Sequence, residues 1–266
     1  MSGERAVTVG VLALQGAFHE HIQRFSSLNA LSTMPTVRAF AVRRADQLEQ
    51  CDALVIPGGE STAIALGMRN ADLYEPINAW VTSGRPIWGT CAGMILLARV
   101  ASGGKRGGQE LLGGVDVQVG RNGFGSQVNS FEASVVIPAL GDEPFTGVFI
   151  RAPIIDALLP DAGTVTAPHG MNVSAAHDAQ DGERPPLEVL GWLPEDAMPE
   201  SSAQATLAWS ATHGRAATPV LGPRPGSDAQ IVALRQGNAL ITSFHPELTS
   251  DTRLHSYFVD MAAATM

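Results

Sequence analysis

Cysteine is scarce in this chain, with Cys51 and Cys91 the only two in 266 residues. Secreted domains of this size carry more, in even-numbered disulfide frameworks, so the pair points to a reducing compartment and a cytoplasmic protein. No apolar run reaches the roughly 18 residues that suggest a membrane span. The opening residues Met1-Ser2-Gly3-Glu4-Arg5 lead straight into a strand-like run, with no signal-type apolar stretch. Basic patches are missing as well. A formal net charge of −9 repels phosphate backbones, and Val42-Arg43-Arg44 is too short to offset it, so no nucleic-acid partner is expected. Charged residues are 16% of the chain and hydrophobic residues 45%, enough to fill a large core and unlike a disordered protein.

What is present alternates in pattern. Val7 to Leu14 is a nearly continuous apolar run, as expected of a strand buried on both faces. Phe18, Ile22, Phe25 and Leu28 then recur at helical spacing. Val37 to Val42 and Ala53 to Ile56 read as further strands, the latter closed by Pro57-Gly58-Gly59. Pro86-Ile87-Trp88 leads into Gly89-Thr90-Cys91-Ala92-Gly93 and a helix expected over Met94 to Val100. This alternation predicts an α/β fold with a mostly parallel central sheet and helices on both faces. The second half is more β-like, with strands expected at 115–119, 131–137 and 147–150. A late hairpin, Ala229 to Leu234 with Ala239 to Phe244, turns at Gln236-Gly237-Asn238, and a closing helix covers Thr252 to Ala264. We read 1–266 as a single domain carrying a loop-rich inserted region at 160–227, where Ala, Pro, Gly, Ser and Asp dominate. Within it Leu187 to Leu190 and Thr206 to Ser210 are candidate short strands.

The sharpest local signal is Gly89-Thr90-Cys91-Ala92-Gly93 between a strand and a helix, the cysteine counterpart of a nucleophile elbow. A tight strand-to-helix turn strains the central residue and leaves no room for flanking side chains, hence the glycines. A thiol at a helix N-terminus also favours its thiolate form. An ordinary buried core cysteine is the competing reading. His245 ends an apolar run that should finish at the same sheet edge, and Glu247 follows across Pro246, so Cys91, His245 and Glu247 form a coherent triad of nucleophile, base and orienting carboxylate. The other histidines lack such a setting. His19-Glu20-His21 reads as a polar helix edge, because positions i and i+2 face apart, and no metal site is expected. Pro57-Gly58-Gly59-Glu60-Ser61-Thr62 can offer backbone N–H groups to an oxyanion. A phosphate loop is disfavoured, since there is no Walker lysine and Glu60 would repel phosphate.

Several segments come in an order that resembles a known family: Leu14-Gln15-Gly16, residues 57–62 and 89–93, Arg121-Asn122-Gly123-Phe124-Gly125, Phe131-Glu132, residues 145–153, and Ser243 to Leu248. Together they resemble the glutaminase subunits of pyridoxal 5'-phosphate synthases, within the class I glutamine amidotransferases of flavodoxin-like fold. The elbow and the His-x-Glu pair would fit class I enzymes generally, whereas Gly-Gly-Glu-Ser-Thr, Arg-Asn-x-Phe-Gly and Phe-Ile-Arg-Ala-Pro point to the vitamin B6 branch. The resemblance implies hydrolysis of L-glutamine by Cys91, His245 and Glu247. It also implies substrate contacts from Gly58, Gly59, Glu60, Arg121, Ile150 and Arg151, with an oxyanion hole from Gly59 and Ala92. No cofactor is implied. The implied partner is a synthase subunit with a (β/α)8 barrel, bound as a hetero-oligomer and receiving ammonia. Two departures stand out: Gly123 replaces an expected serine, and the 160–227 region lengthens the chain beyond the compact family form. Alternatives are a class I glutaminase serving another pathway and a non-catalytic interaction subunit of the same fold.

Overall fold

The computed structural model describes residues 6–30, 35–103, 108–121, 130–159, 173–175, 184–197, 220–221 and 230–266. The first half is a run of alternating elements. Strand β1 (Val7–Leu12) is followed by α1 (Phe18–Leu28), β2 (Val37–Val42), α2 (Ala45–Leu48) and β3 (Ala53–Ile56). Helices α3 (Ser61–Asn70) and α4 (Tyr74–Thr82) then lead to β4 (Ile87–Thr90), α5 (Ala92–Leu97) and β5 (Ala98–Ser102). The second half is mostly strand: β6 (Val115–Gly120), β7 (Ser130–Val135), β8 (Phe145–Ile150), β9 (Ile154–Leu158), β10 (Val173–Ala175), β11 (Leu187–Leu193), β12 (Val220–Leu221), β13 (Gln230–Gln236) and β14 (Ala239–Thr242). Helix α6 (Arg253–Ala263) closes the chain.

The main sheet has eight strands in the order β12-β11-β13-β14-β4-β3-β1-β2. Strands β2, β1, β3, β4 and β14 run parallel, while β13 pairs antiparallel with both β14 and β11. The expected mostly parallel sheet is therefore present, in the doubly wound order. Its strands read as apolar runs because both faces are covered. On one face Phe25 and Leu28 of α1 pack with Leu254, Phe258 and Val259 of α6. On the other, Ile64 and Met68 of α3 pack with Ile77 and Trp80 of α4 and Met94 of α5. Strand β1 feeds both layers by alternation, Val9 and Val11 to one face and Leu12 to the other.

Two expectations need correction. The helix expected over Met94 to Val100 stops at Leu97, and Ala98 turns extended at φ −66°, ψ 147°. Residues 98–102 instead pair with β6 in a second sheet of order β10-β5-β6-β9, where Arg99 meets the buried Asp116 at 3.2 Å. Tertiary pairing here overrides a local helical pattern. Within the loop-rich 160–227 region, Leu187–Leu193 is a full strand of the main sheet, longer than the expected 187–190. Leu187, Val189, Leu190 and Leu193 are buried there, so the expected strand is present and runs three residues further as part of the core. The candidate strand Thr206 to Ser210 lies outside the described residues. Among the described residues, no helix is long and apolar enough to cross a membrane.

Candidate active site

The carboxyl ends of neighbouring parallel strands assemble the site. Strand β4 ends at Thr90, which is in register with Thr242, the last residue of β14. Cys91 therefore leaves one strand beside the segment that carries His245 from the next. The Cys91 backbone has φ 49° and ψ −100°, a left-handed setting that non-glycine residues avoid. Such strain costs on the order of 1–3 kcal/mol and persists only where the surroundings impose it. They do so here: Cys91 N donates to Thr242 O at 2.8 Å, and Cys91 O accepts from Ile95 N at 3.2 Å. The flanking glycines are sterically required. A Cβ on Gly93 would overlap the Ile56 carbonyl, and one on Gly89 would overlap the backbone of Gly93.

His245 and Glu247 lie on either side of Pro246, which opens the single 3-10 turn Pro246–Leu248. The turn brings both side chains together, with His245 Nδ1 2.7 Å from Glu247 Oε1. Cys91 is also close enough to His245 to raise the pKa of its imidazole. Burial disfavours the imidazolium, but the interactions with Cys91 and Glu247 outweigh it and raise the His245 pKa to about 10. Burial likewise opposes the Glu247 carboxylate, yet the hydrogen bond and charge of His245 help to hold its pKa below the ordinary glutamate range. The Cys91 Sγ lies 3.8 Å from Ile150 O, and His245 N donates to Val148 O at 2.8 Å, so β8 forms one wall. The opposite wall includes Gly58, where a Cβ would overlap the His245 ring.

The expected substrate residues form a second group. Glu60 is the N-cap of α3, its carboxylate accepting from Thr62 N at 3.1 Å and Ala63 N at 2.6 Å. Burial would raise its pKa, but these hydrogen bonds and the nearby Arg121 charge lower it overall. Gly59 packs on the Gln15 side chain, whose Oε1 accepts from Glu60 N at 2.8 Å. Arg121, at the end of β6, donates to Gln109 Oε1. The same oxygen accepts from Ser61 Oγ at 3.1 Å and Thr62 Oγ1 at 3.2 Å. Arg121 Nε is buried with no hydrogen bond among the described residues. Arg151 is exposed at φ 46°, and Ala92 is buried at the start of α5. Gly123 lies outside the described residues.

The structure thus brings Cys91, His245, Glu247, Gly58 and Ile150 together, ties Arg121 to Ser61 and Thr62 through Gln109, and sets Glu60 close enough to Arg121 to feel its charge. Sequence reasoning missed Gln109, which no local pattern marks. It also misjudged His21, which is not on a polar helix edge but fully buried against Glu247. A signal was available: His21 lies three residues after Phe18, four before Phe25 and seven before Leu28, on the same helical stripe.

The chain matches the model of the SNO glutamine amidotransferase family over residues 11–181 and 217–264. It is 41% identical to a probable pyridoxal 5'-phosphate synthase subunit PDX2 of Arabidopsis thaliana, over 96% of this chain and 86% of that protein. It is 40% identical to the pyridoxal 5'-phosphate synthase subunit PdxT of Moorella thermoacetica, over 95% and 98% of the two chains. A crystal structure of a glutamine amidotransferase superposes with a TM-score of 0.64 at 33% identity, covering 96% of this chain and 98% of that one. Fold, site geometry and relatives agree: this chain belongs to the SNO glutamine amidotransferase family.

Proposed function

We propose that the chain hydrolyses L-glutamine to L-glutamate and ammonia, and passes the ammonia to a partner synthase that builds pyridoxal 5'-phosphate. The observation that carries this reading is Cys91, held on a strained bend and coupled electrostatically to a His245 that Glu247 orients. The Cys91 thiolate attacks the side-chain amide carbon of glutamine. Backbone N–H groups of Gly59 and Ala92 receive the oxyanion, a kind of contact worth about 2.7–4 kcal/mol per donor in the transition state. The His245 imidazolium protonates the departing nitrogen, which leaves as ammonia, and a thioester remains on Cys91. His245 then takes a proton from water, and the hydroxide releases glutamate and restores the thiol. Glu247 stays ionised throughout and stabilises the imidazolium.

Glutamine is held by Gly58, Gly59, Glu60, Arg121, Ile150 and Arg151. Arg121 suits the substrate α-carboxylate, since its buried Nε has no hydrogen bond of its own among the described residues. Glu60, ionised and close enough to feel the Arg121 charge, suits the α-amino group. The partner is a (β/α)8-barrel synthase subunit, as a hetero-oligomer, and both work in the cytoplasm. The names of the relatives support the pathway and favour it over glutaminases of other biosynthetic routes. The test is glutamate release by the chain mixed with a pyridoxal 5'-phosphate synthase subunit. Wild type should be active and Cys91→Ala reduced by at least about a thousandfold, with the complex still forming. Activity retained by Cys91→Ala would refute the nucleophile; no activity with that partner would refute the pathway.

A further inference from the structure

The Glu247 carboxylate lies between two imidazoles. Its Oε1 meets His245 at 2.7 Å, as the triad requires. Its Oε2 is buried without a completed hydrogen bond among the described residues, and His21 Nε2 stands 3.3 Å from it. His21 comes from α1, more than 200 positions away in sequence, and is fully buried beside Phe25, Trp88 and His255. A polar ring in such an aromatic surround costs stability unless its nitrogens are used.

Both nitrogens are used, and the hydrogen-bonding options fix the tautomers. His21 Nε2 forms a hydrogen bond with Thr90 Oγ1 at 3.3 Å and lies equally close to Glu247 Oε2; a carboxylate only accepts, so Nε2 carries the proton in this fork. The opposite tautomer would set a nitrogen lone pair against carboxylate lone pairs. His21 Nδ1 is then an acceptor, and His255 Nε2, 3.1 Å away, must be the donor. That leaves His255 Nδ1 as a bare lone pair, and this atom is buried without a partner among the described residues. The row His255, His21, Glu247, His245, Cys91 therefore has one consistent direction of donation up to the carboxylate. Burial pushes both His21 and His255 down to about 3, so His21 faces the carboxylate as a neutral N–H dipole rather than as a cation, with a neutral His255 behind it.

We infer that His21 is a positioning residue for glutamine hydrolysis: its Nε2–H holds the second oxygen of Glu247, and through it the orientation of His245 toward Cys91. This inference rests on the glutaminase reading above. His21 touches no substrate. The contact matters most when His245 becomes imidazolium, because the carboxylate must then stay ionised and in plane with the ring. The groups facing Glu247 from the elements packed on it are His245 on its own turn and His21 and Arg24 from α1. The Arg24 Nε donates to the Glu247 carbonyl oxygen at 3.1 Å rather than to the carboxylate, so it does not substitute for His21.

Two amide substitutions separate positioning from packing. His21→Gln keeps an N–H at the reach of Nε2, whereas His21→Asn places its amide near the Nδ1 position, too short to meet Glu247. Both disturb the aromatic surround, so a purely structural role would impair them alike. With the synthase subunit present, His21→Asn should lose roughly tenfold in kcat, the effect of one lost hydrogen bond to a charged group, with KM nearly unchanged. His21→Gln should keep most of the wild-type kcat. In a Glu247→Gln background, where no carboxylate needs holding, the two variants should turn over equally. Equal kcat for the two in the wild-type background, or a wild-type kcat for His21→Asn, overturns the inference. Absence of glutamine hydrolysis by the wild-type complex would instead strike the glutaminase reading beneath it.

Discussion

The two sides of the site are built by different means. On the sulfur side the backbone does the positioning. The ends of β4 and β14 lie in register, Cys91 is pinned by main-chain hydrogen bonds on both sides, and Gly58 admits the His245 ring. On the side that would grip the amino-acid end of the substrate, long side chains do it. Arg121, Ser61 and Thr62 converge on Gln109, and Glu60 is oriented by capping α3. Backbone placement resists small perturbations and fails abruptly when a Cβ intrudes. Side-chain placement gives gradually, because each hydrogen bond can be lost singly.

That contrast predicts a split in kinetic constants. Gly58→Ala should push the His245 ring out of line and lower kcat on the order of a hundredfold, the scale of an approximately 1 Å misplacement. Arg121→Leu should leave kcat within a few fold and raise KM for glutamine by roughly tenfold, the loss of one charge-assisted contact. Steady-state assays of both variants in the presence of the synthase subunit decide the matter. If Gly58→Ala changed chiefly KM, or Arg121→Leu chiefly kcat, the division of labour would be wrong.

The same contrast governs what the amino-acid sequence reveals. The Cys91 elbow was legible because its steric demand selects glycine at positions 89 and 93, a local and visible constraint. The parallel strands were legible because burial on both faces leaves apolar runs such as 7–12. His245 and Glu247 were legible from a strand end followed by proline. His21 was not, since its contact with Glu247 crosses the chain and its neighbours His19 and Glu20 disguise a buried stripe as a polar one. Gln109 sits in a glycine-rich stretch with no period to betray it. Strand β5 was hidden because its pairing partner β6 begins thirteen residues beyond its end, where no local pattern reaches.

A smaller effect should appear in stability against pH. The pKa of His245 is raised from 6.5 to about 10 in the folded chain, so its stabilising contribution is complete below pH 6.5 and is lost as pH rises toward 10. His21 and His255 run the other way. Lowered to about 3, they refuse a proton that the unfolded chain accepts, so their contribution is complete above pH 6.5 and is lost as pH falls toward 3. Each mismatch changes stability by at most about 1.4 kcal/mol per pH unit. The thermal midpoint should therefore peak near pH 6.5 and fall on both sides. His21→Gln should flatten the acid limb alone; an unchanged acid limb would place the sensitivity elsewhere.

The central claim, that Cys91 becomes a nucleophile because His245 and Glu247 attend it, is tested most directly by mass spectrometry after exposure to a glutamine-analogue electrophile, with the synthase subunit present. One adduct per chain is predicted, mapped to Cys91 and absent in His245→Asn. Label on Cys51, or equal labelling of Cys91 with and without His245, would contradict the account.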